Sequence, residues 1–374
     1  MTRLEQLAAL GQSVWLDFIR RPLFTTGELQ ALVDDGLRGM TSNPTIFARA
    51  IAESDDYDEA IKPLAAQGRS VNDIYETLAL EDIRRAADIL RPVYDRTAGL
   101  DGYVSLEVNP HLACDPEGTV AEARRLFASV ACPNLMIKVP ATPQGLPAIE
   151  TLIGEGINVN VTLIFALDQY QAVSGAYLAG LERLAAAGGD LSRVASVASF
   201  FVSRIDTAVD RQLDHLQALT PNGPCPDPQS LKGKAAIASA KVAYALFREV
   251  LTGERWQRLA AQGARVQRLL WASTSTKNPA YPDTLYVDNL IGPHTVNTMP
   301  PETLVAFREH GIVALTLEQG VDQARAHLAC LAQLGIDLAA VTRQLLDDGV
   351  AAFARSFDSL LASIRAKMNG AQDI

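Results

Sequence analysis

The chain has 374 residues, of which 48% are hydrophobic, 20% charged and 6% aromatic; 33 Lys+Arg against 43 Asp+Glu set a formal net charge of −10. This is the composition of a globular protein with a large core. A pI near 5.1, with no basic run longer than two residues, argues against a nucleic-acid partner.

Along the chain, eight short apolar runs alternate with longer Ala/Leu/Glu/Arg stretches at helical spacing: SVWLDFI, RGMTSN, YVSLEV, NLMIKVP, NVNVTLIF, RVASVASFF, RLLWAST and HTVNTMP. Such alternation predicts right-handed βαβ units and a parallel sheet, and eight strands are the number that closes a barrel. The predicted fold is therefore α/β, a (β/α)₈ TIM barrel. A doubly wound open sheet is the alternative, weakened by the absence of GxGxxG after any predicted strand. A barrel takes about 250 residues, so the chain, read as one barrel domain over 1–374, carries helical additions. These are expected at about 45–101, between the second and third strands, and at 301–368.

Within the tail, Phe353, Phe357, Leu360, Leu361 and Ile364 recur at helical spacing, an apolar stripe expected to pack on the barrel exterior. LTPNGPCPDPQ (219–229), with four prolines, reads as a loop. Cys114, Cys132, Cys225 and Cys330, at separations of 18, 93 and 105, match neither a metal knuckle nor a disulfide framework and read as free thiols. Five scattered histidines without HExxH give no support to a metal site. No apolar run approaches the ~20 residues that cross a bilayer. The opening MTRLEQLAALGQ lacks the pattern of a secretory signal, so a cytoplasmic chain without membrane association is expected.

Parallel strands buried on both faces should read as unbroken apolar runs, so polar residues inside them are informative. They recur here with period 2. Ser105, Glu107 and Asn109 oppose Val104, Leu106 and Val108; Asn158, Asn160 and Thr162 oppose Val159, Val161 and Leu163; Lys138 shares a face with Met136, and Asp17 with Trp15. In a barrel the outer face meets helices, so the polar faces must turn into the lumen. Asp17, Glu107, Lys138, Asn160 and Thr162 then converge near the carboxyl ends of the strands, where the active sites of such barrels lie.

Lys138, flanked by Met136, Ile137, Val139 and Pro140, loses hydration, which favours the neutral, nucleophilic amine. Such an amine suits Schiff-base formation with a carbonyl substrate. A buried ion pair of Lys138 with Glu107 or Asp17 is the other reading of the same residues. Two carboxylates near one amine also suit the proton transfers of aldol-type chemistry. Arg204 after one strand, and Ser275 with Lys277 after another, form a candidate phosphate site.

In GMTSNPTIF, VSLEVNP, NLMIKVPAT, GINVNVTLIF and ASFFVSRID, in that order, the sequence resembles the transaldolases over about residues 10–365. The resemblance implies a barrel that moves a dihydroxyacetone unit between sugar phosphates, without metal or organic cofactor, as a monomer or homodimer. It implies that Lys138 is the Schiff-base lysine, that Asp17 takes the proton of the substrate hydroxyl during cleavage, and that Glu107, with Thr162 holding a water, shuttles protons. Asn43, Asn160 and Ser199 would hold substrate hydroxyls, and Arg204, Ser275 and Lys277 the phosphate. Two positions depart from the family pattern: Lys277 stands where many transaldolases have Arg, and Phe200 where Pro commonly follows the serine. Some longer members are fused to a glucose-6-phosphate isomerase; with its last residue at Ile374, none is expected here. The related fructose-6-phosphate aldolases carry Gln where this chain has Glu107, which favours transfer. A catalytically silent sugar-phosphate-binding barrel is the rival of another class, disfavoured by Lys138, Asp17 and Glu107 together.

Overall fold

A computed structural model describes residues 1–219 and 227–370. Its strands are β1 (Gln12–Asp17), β2 (Gly39–Thr41), β3 (Tyr103–Glu107), β4 (Leu135–Pro140), β5 (Val159–Ile164), β6 (Ser196–Phe201), β7 (Arg268–Ala272) and β8 (Thr295–Met299). Each is parallel to its neighbours, and β8 pairs with β1 to close the barrel. The open-sheet alternative is thereby replaced by the barrel. The strands are buried almost throughout because helices cover the outside while side chains fill the lumen.

Register brings the inward polar residues level with one another. Asp17 pairs with Thr41, Glu107 with Lys138, Lys138 with Asn160 and Pro140 with Thr162. Beyond Thr162 the β5–β6 register slips between Val161 and Ile164, and Leu163 takes φ +60°, a bulge that turns the strand end. At the amino end of the barrel, the buried Arg268 guanidinium is paired with Asp101 at 2.9 Å and donates to Ser13 Oγ at 2.6 Å.

Three helices, Pro44–Ala52, Asp58–Ala66 and Val71–Arg96, separate β2 from β3. The last begins with a capping box between Ser70 and Asp73. After β8 come Pro301–His310, Val321–Gln333 and the 33-residue helix Leu338–Gly370. Phe353, Phe357, Leu360 and Ile364 of its stripe are buried, and Leu361 is half-buried. The stripe does not lie on the barrel exterior as expected. The β2–β3 helices present aromatic side chains at the carboxyl end of the barrel, and Phe357 packs edge-on against Tyr75, which in turn meets Phe47. The tail helix covers that surface and runs on across the barrel mouth, where a Cβ at Gly349 would come within 3.0 Å of Leu163 Cδ2. In the proline-rich stretch, residues 220–226, including Cys225, lie outside the described residues; Pro228–Leu231 forms a 3₁₀ turn capped by Asp227. Cys114, Cys132 and Cys330 are free thiols.

Candidate active site

Lys138, 4% exposed, reaches across β3 from β4. Its Nζ donates to the Ser42 carbonyl at 3.2 Å and stands 3.7 Å from Glu107 Oε2. That separation is an ion-pair distance, longer than a hydrogen bond. Glu107 Oε2 is buried with no hydrogen-bond partner among the described residues. Burial pushes the Glu107 carboxyl up to about 7 against the pull of the Lys138 ammonium, and the Asp17 carboxylate adds to the rise. A carboxyl titrating near neutrality beside an amine can both give and take a proton. The Phe353 ring of the tail helix lies 6.0 Å from Lys138 Nζ and roofs the amine.

Asp17, at the end of β1, accepts a hydrogen bond from Thr41 Oγ1 at 2.6 Å. Thr41 has one hydroxyl proton, so in its 2.7 Å contact with Thr298 Oγ1 it acts as acceptor. Thr162 is fully buried, and its Oγ1 has no hydrogen-bond partner among the described residues, Glu107 included. Asn160 donates to Ser105 Oγ at 3.0 Å and accepts from Ser199 Oγ at 2.7 Å, so β3, β5 and β6 are tied by one polar chain. Asn43 follows Ser42, and its Oδ1 caps helix Pro44–Ala52 by accepting from Ile46 N–H at 2.9 Å, which leaves its amide N–H groups and the second lone pair of the oxygen for a ligand.

The cationic groups lie to one side. Arg204, second residue of helix Ser203–Leu219, has its guanidinium 5.3 Å from the Phe201 ring centre. Burial disfavours its charge, and Asp17 supports it. Lys277, whose Nζ donates to Ser275 Oγ at 2.5 Å, is held below its usual range first by partial burial and then by the nearby cations Arg204 and Arg49, against Glu302 and Asp17. An 840 Å³ cavity between this region and the tail helix is lined by Arg204, Arg211, Lys277 and Arg355, with Asp337 and Asp348. Lys138 and Glu107 thus offer a buried amine with a neutral-range acid, and the cavity beside the tail helix gathers four cations with two carboxylates.

A sequence model described as transaldolase/fructose-6-phosphate aldolase matches residues 14–364. The chain belongs to that family. It is 51% identical to a transaldolase of Parafrankia sp. (strain EAN1pec) over 370 residues, 98% of each chain. It is 50% identical to a transaldolase of Thermobifida fusca (strain YX) over 367 residues, again 98% of each. A transaldolase of Thiobacillus denitrificans (strain ATCC 25259 / T1) is 50% identical over 361 residues, 96% of this chain and 99% of that one.

In this transaldolase/fructose-6-phosphate aldolase chain, several groups at the site escape a reading of the sequence. The Ser42 carbonyl that receives the Lys138 amine is a backbone atom, invisible in residue type. Arg49 sits on an inserted helix with no motif of its own, and Phe353 comes from a helix more than 200 positions beyond Lys138. Ser105 carries a signal, since it belongs to the polar face of β3.

Proposed function

We propose that the protein is a transaldolase that transfers a dihydroxyacetone unit from a ketose phosphate, sedoheptulose 7-phosphate or fructose 6-phosphate, to glyceraldehyde 3-phosphate or erythrose 4-phosphate. The observation that carries this reading is the buried Lys138 amine 3.7 Å from a Glu107 carboxyl that titrates near neutrality. The Lys138 amine attacks the C2 carbonyl, and Glu107 protonates the departing hydroxyl so that the carbinolamine loses water. Asp17 then takes the proton of the C4 hydroxyl, the C3–C4 bond breaks, and its electron pair passes into the Schiff base to give an enamine while the aldose phosphate leaves. Addition of the enamine to an acceptor aldehyde and hydrolysis, with Thr162 holding the water, complete the transfer.

Asn43, Asn160 and Ser199 hold substrate hydroxyls, and Arg204, Ser275 and Lys277 the phosphate. The free amide N–H groups of Asn43 and the neighbouring cations Arg204 and Lys277 support these assignments. Because the protonated Schiff base formed on the lysine is itself the electron sink, the reaction needs no metal or organic cofactor, and activity should survive EDTA. The reading places the chain in the non-oxidative pentose phosphate pathway of the cytoplasm, as a monomer or homodimer.

Borohydride reduction in the presence of fructose 6-phosphate, followed by peptide mass mapping, tests the reading. The adduct is expected on Lys138, and Lys138→Met should abolish both adduct and turnover. Labelling of Lys232, Lys234 or Lys241 in its place would overturn the assignment; these three line a separate, open cleft.

A further inference from the structure

The proposed phosphate groups come from two elements, Arg204 from the helix after β6, and Ser275 with Lys277 from the loop after β7. Their separation is fixed only if that loop is fixed against that helix. Two ties hold it at its start: Ser203 N–H donates to the Ser273 carbonyl at 3.1 Å, and the Ser203 and Ser273 hydroxyls are 2.9 Å apart. Ser273 takes φ +56°, a left-handed conformation that a serine holds only where its surroundings enforce it.

The far end of the loop is tied to the same helix by two buried carboxylates. Asp206 is 1% and Asp210 8% exposed, and they lie one helical turn apart on one face. Asp206 accepts from Tyr286 OH at 2.8 Å with one oxygen and from Ala236 N–H at 2.8 Å with the other. Asp210 repeats the arrangement, accepting from Tyr281 OH at 2.6 Å and from Gly233 N–H at 3.0 Å. Neither is ion-paired with a described residue. Burying a carboxylate without a cation is costly, and burial pushes Asp206 up to about 7. The turn at Gly233 is shaped to the same contact: it takes φ +69°, and a Cβ there would stand 2.9 Å from Tyr281 Cζ. The proton transfers proposed above use neither aspartate.

We propose that Asp206 and Asp210 are positioning residues for the phosphate subsite, clamping loop 273–286 through Tyr286 and Tyr281 so that Ser275 and Lys277 face Arg204. The inference rests on the sugar-phosphate reading of the site. Removing a clamp hydroxyl should loosen the phosphate grip and leave the Lys138 chemistry intact, so it should separate a phosphorylated sugar from the same sugar without phosphate.

Tyr281→Phe, Tyr286→Phe and the double variant test this with fructose 6-phosphate and with fructose. Loss of one hydrogen bond should raise KM for fructose 6-phosphate by roughly fivefold to tenfold in each single variant, with more in the double variant. kcat, and kcat/KM for fructose, should stay within about twofold. Should Tyr286→Phe fail to fold, the half-buried Tyr281→Phe carries the same comparison. Equal proportional losses on both sugars would make the network merely structural and overturn the inference, as would an unchanged KM in a folded variant. Absence of Lys138 trapping in the unaltered protein would instead remove the sugar-phosphate reading, and the inference with it.

Discussion

Glu107 is the proposed proton-transfer residue whose environment shifts its titration, and burial is the largest cause. Its carboxyl is raised to about 7 from an ordinary value of 4.5, so between those limits the folded chain binds a proton that the unfolded chain has released. Stability must then fall as pH rises across that window, with the full loss above about 7 and none below about 4.5. Asp206, also near 7, Asp82, near 6, and Asp288, also raised, contribute in the same direction, whereas His294 and His327, held low by burial, oppose them, so the slope of the unaltered protein belongs to no single group. Glu107→Gln isolates one share. The difference in unfolding free energy between variant and parent should be flat below pH 4, shift in the variant's favour from pH 5 to 7, and level off above. Urea denaturation at a series of pH values measures it; a difference that does not change with pH would mean that Glu107 titrates normally. The same substitution should lower turnover by about 10²- to 10⁴-fold, the usual contribution of a general acid or base. The strand-end position and polar neighbours of Glu107 can be read from the sequence, but its titration near neutrality cannot, because that depends on how completely the surrounding elements exclude water.

Among the elements, the tail helix Leu338–Gly370 shapes the site most without supplying any of its proposed proton-transfer or substrate-holding groups. Phe353, 4% exposed, packs beneath it over the Lys138 amine. Phe353→Ala should cost about 3–5 kcal/mol of stability, as large-to-small changes of buried aromatic residues do. Phe353→Leu, which keeps most of the apolar volume, should cost distinctly less. Denaturant unfolding of the two variants distinguishes the cases, and a loss below about 1 kcal/mol for Phe353→Ala would mean that the helix is only loosely docked. The apolar spacing of this helix was legible because a 3.6-residue period records which face is buried. Its partner was not legible, because a period says nothing of what lies opposite; hence the expectation of the barrel exterior, where the mouth and the inserted helices are found. The strands were easier. Interior polar residues at period 2 in β3, β4 and β5 require a lumen, and the convergence of Lys138 with Glu107 follows from parallel register alone. Asn43 shows the limit at the other extreme, since an Asn before Pro44 fits a helix cap as well as a ligand contact, and its oxygen accepts the cap hydrogen bond while its amide N–H groups stay available.

At the scale of the whole molecule the two ends of the barrel have separate tasks, as expected for this architecture. The amino end is closed by Arg268, which joins β7 to β1 through Ser13, to β8 through the Thr295 carbonyl, and to the segment before β3 through Leu100 and Asp101. Ser13 Oγ donates in turn to Asp101 at 2.7 Å, so the carboxylate is held by two partners in a nearly dry environment. Arg268→Met would leave Asp101 buried without its cation, a change that typically costs 3–5 kcal/mol. Replacing both partners, as in Arg268→Met with Asp101→Leu, should recover part of that loss because no charge is then stranded. Neither variant touches the carboxyl end, so kcat and KM of the folded fraction should match the parent. Arg204→Ala is the opposite case. Arg204 has no ion pair with a described residue to lose, so the melting temperature should change little. Affinity for fructose 6-phosphate should nevertheless fall by roughly 1.5–3 kcal/mol, the range for a hydrogen bond to a charged group, and by less in Lys277→Ala, since an ammonium lacks the planar fork of a guanidinium. Thermal unfolding and steady-state kinetics on the same preparations test the division. A large kinetic defect in folded Arg268→Met, or an unchanged KM in Arg204→Ala, would show that binding and stability are not segregated to opposite ends of the barrel.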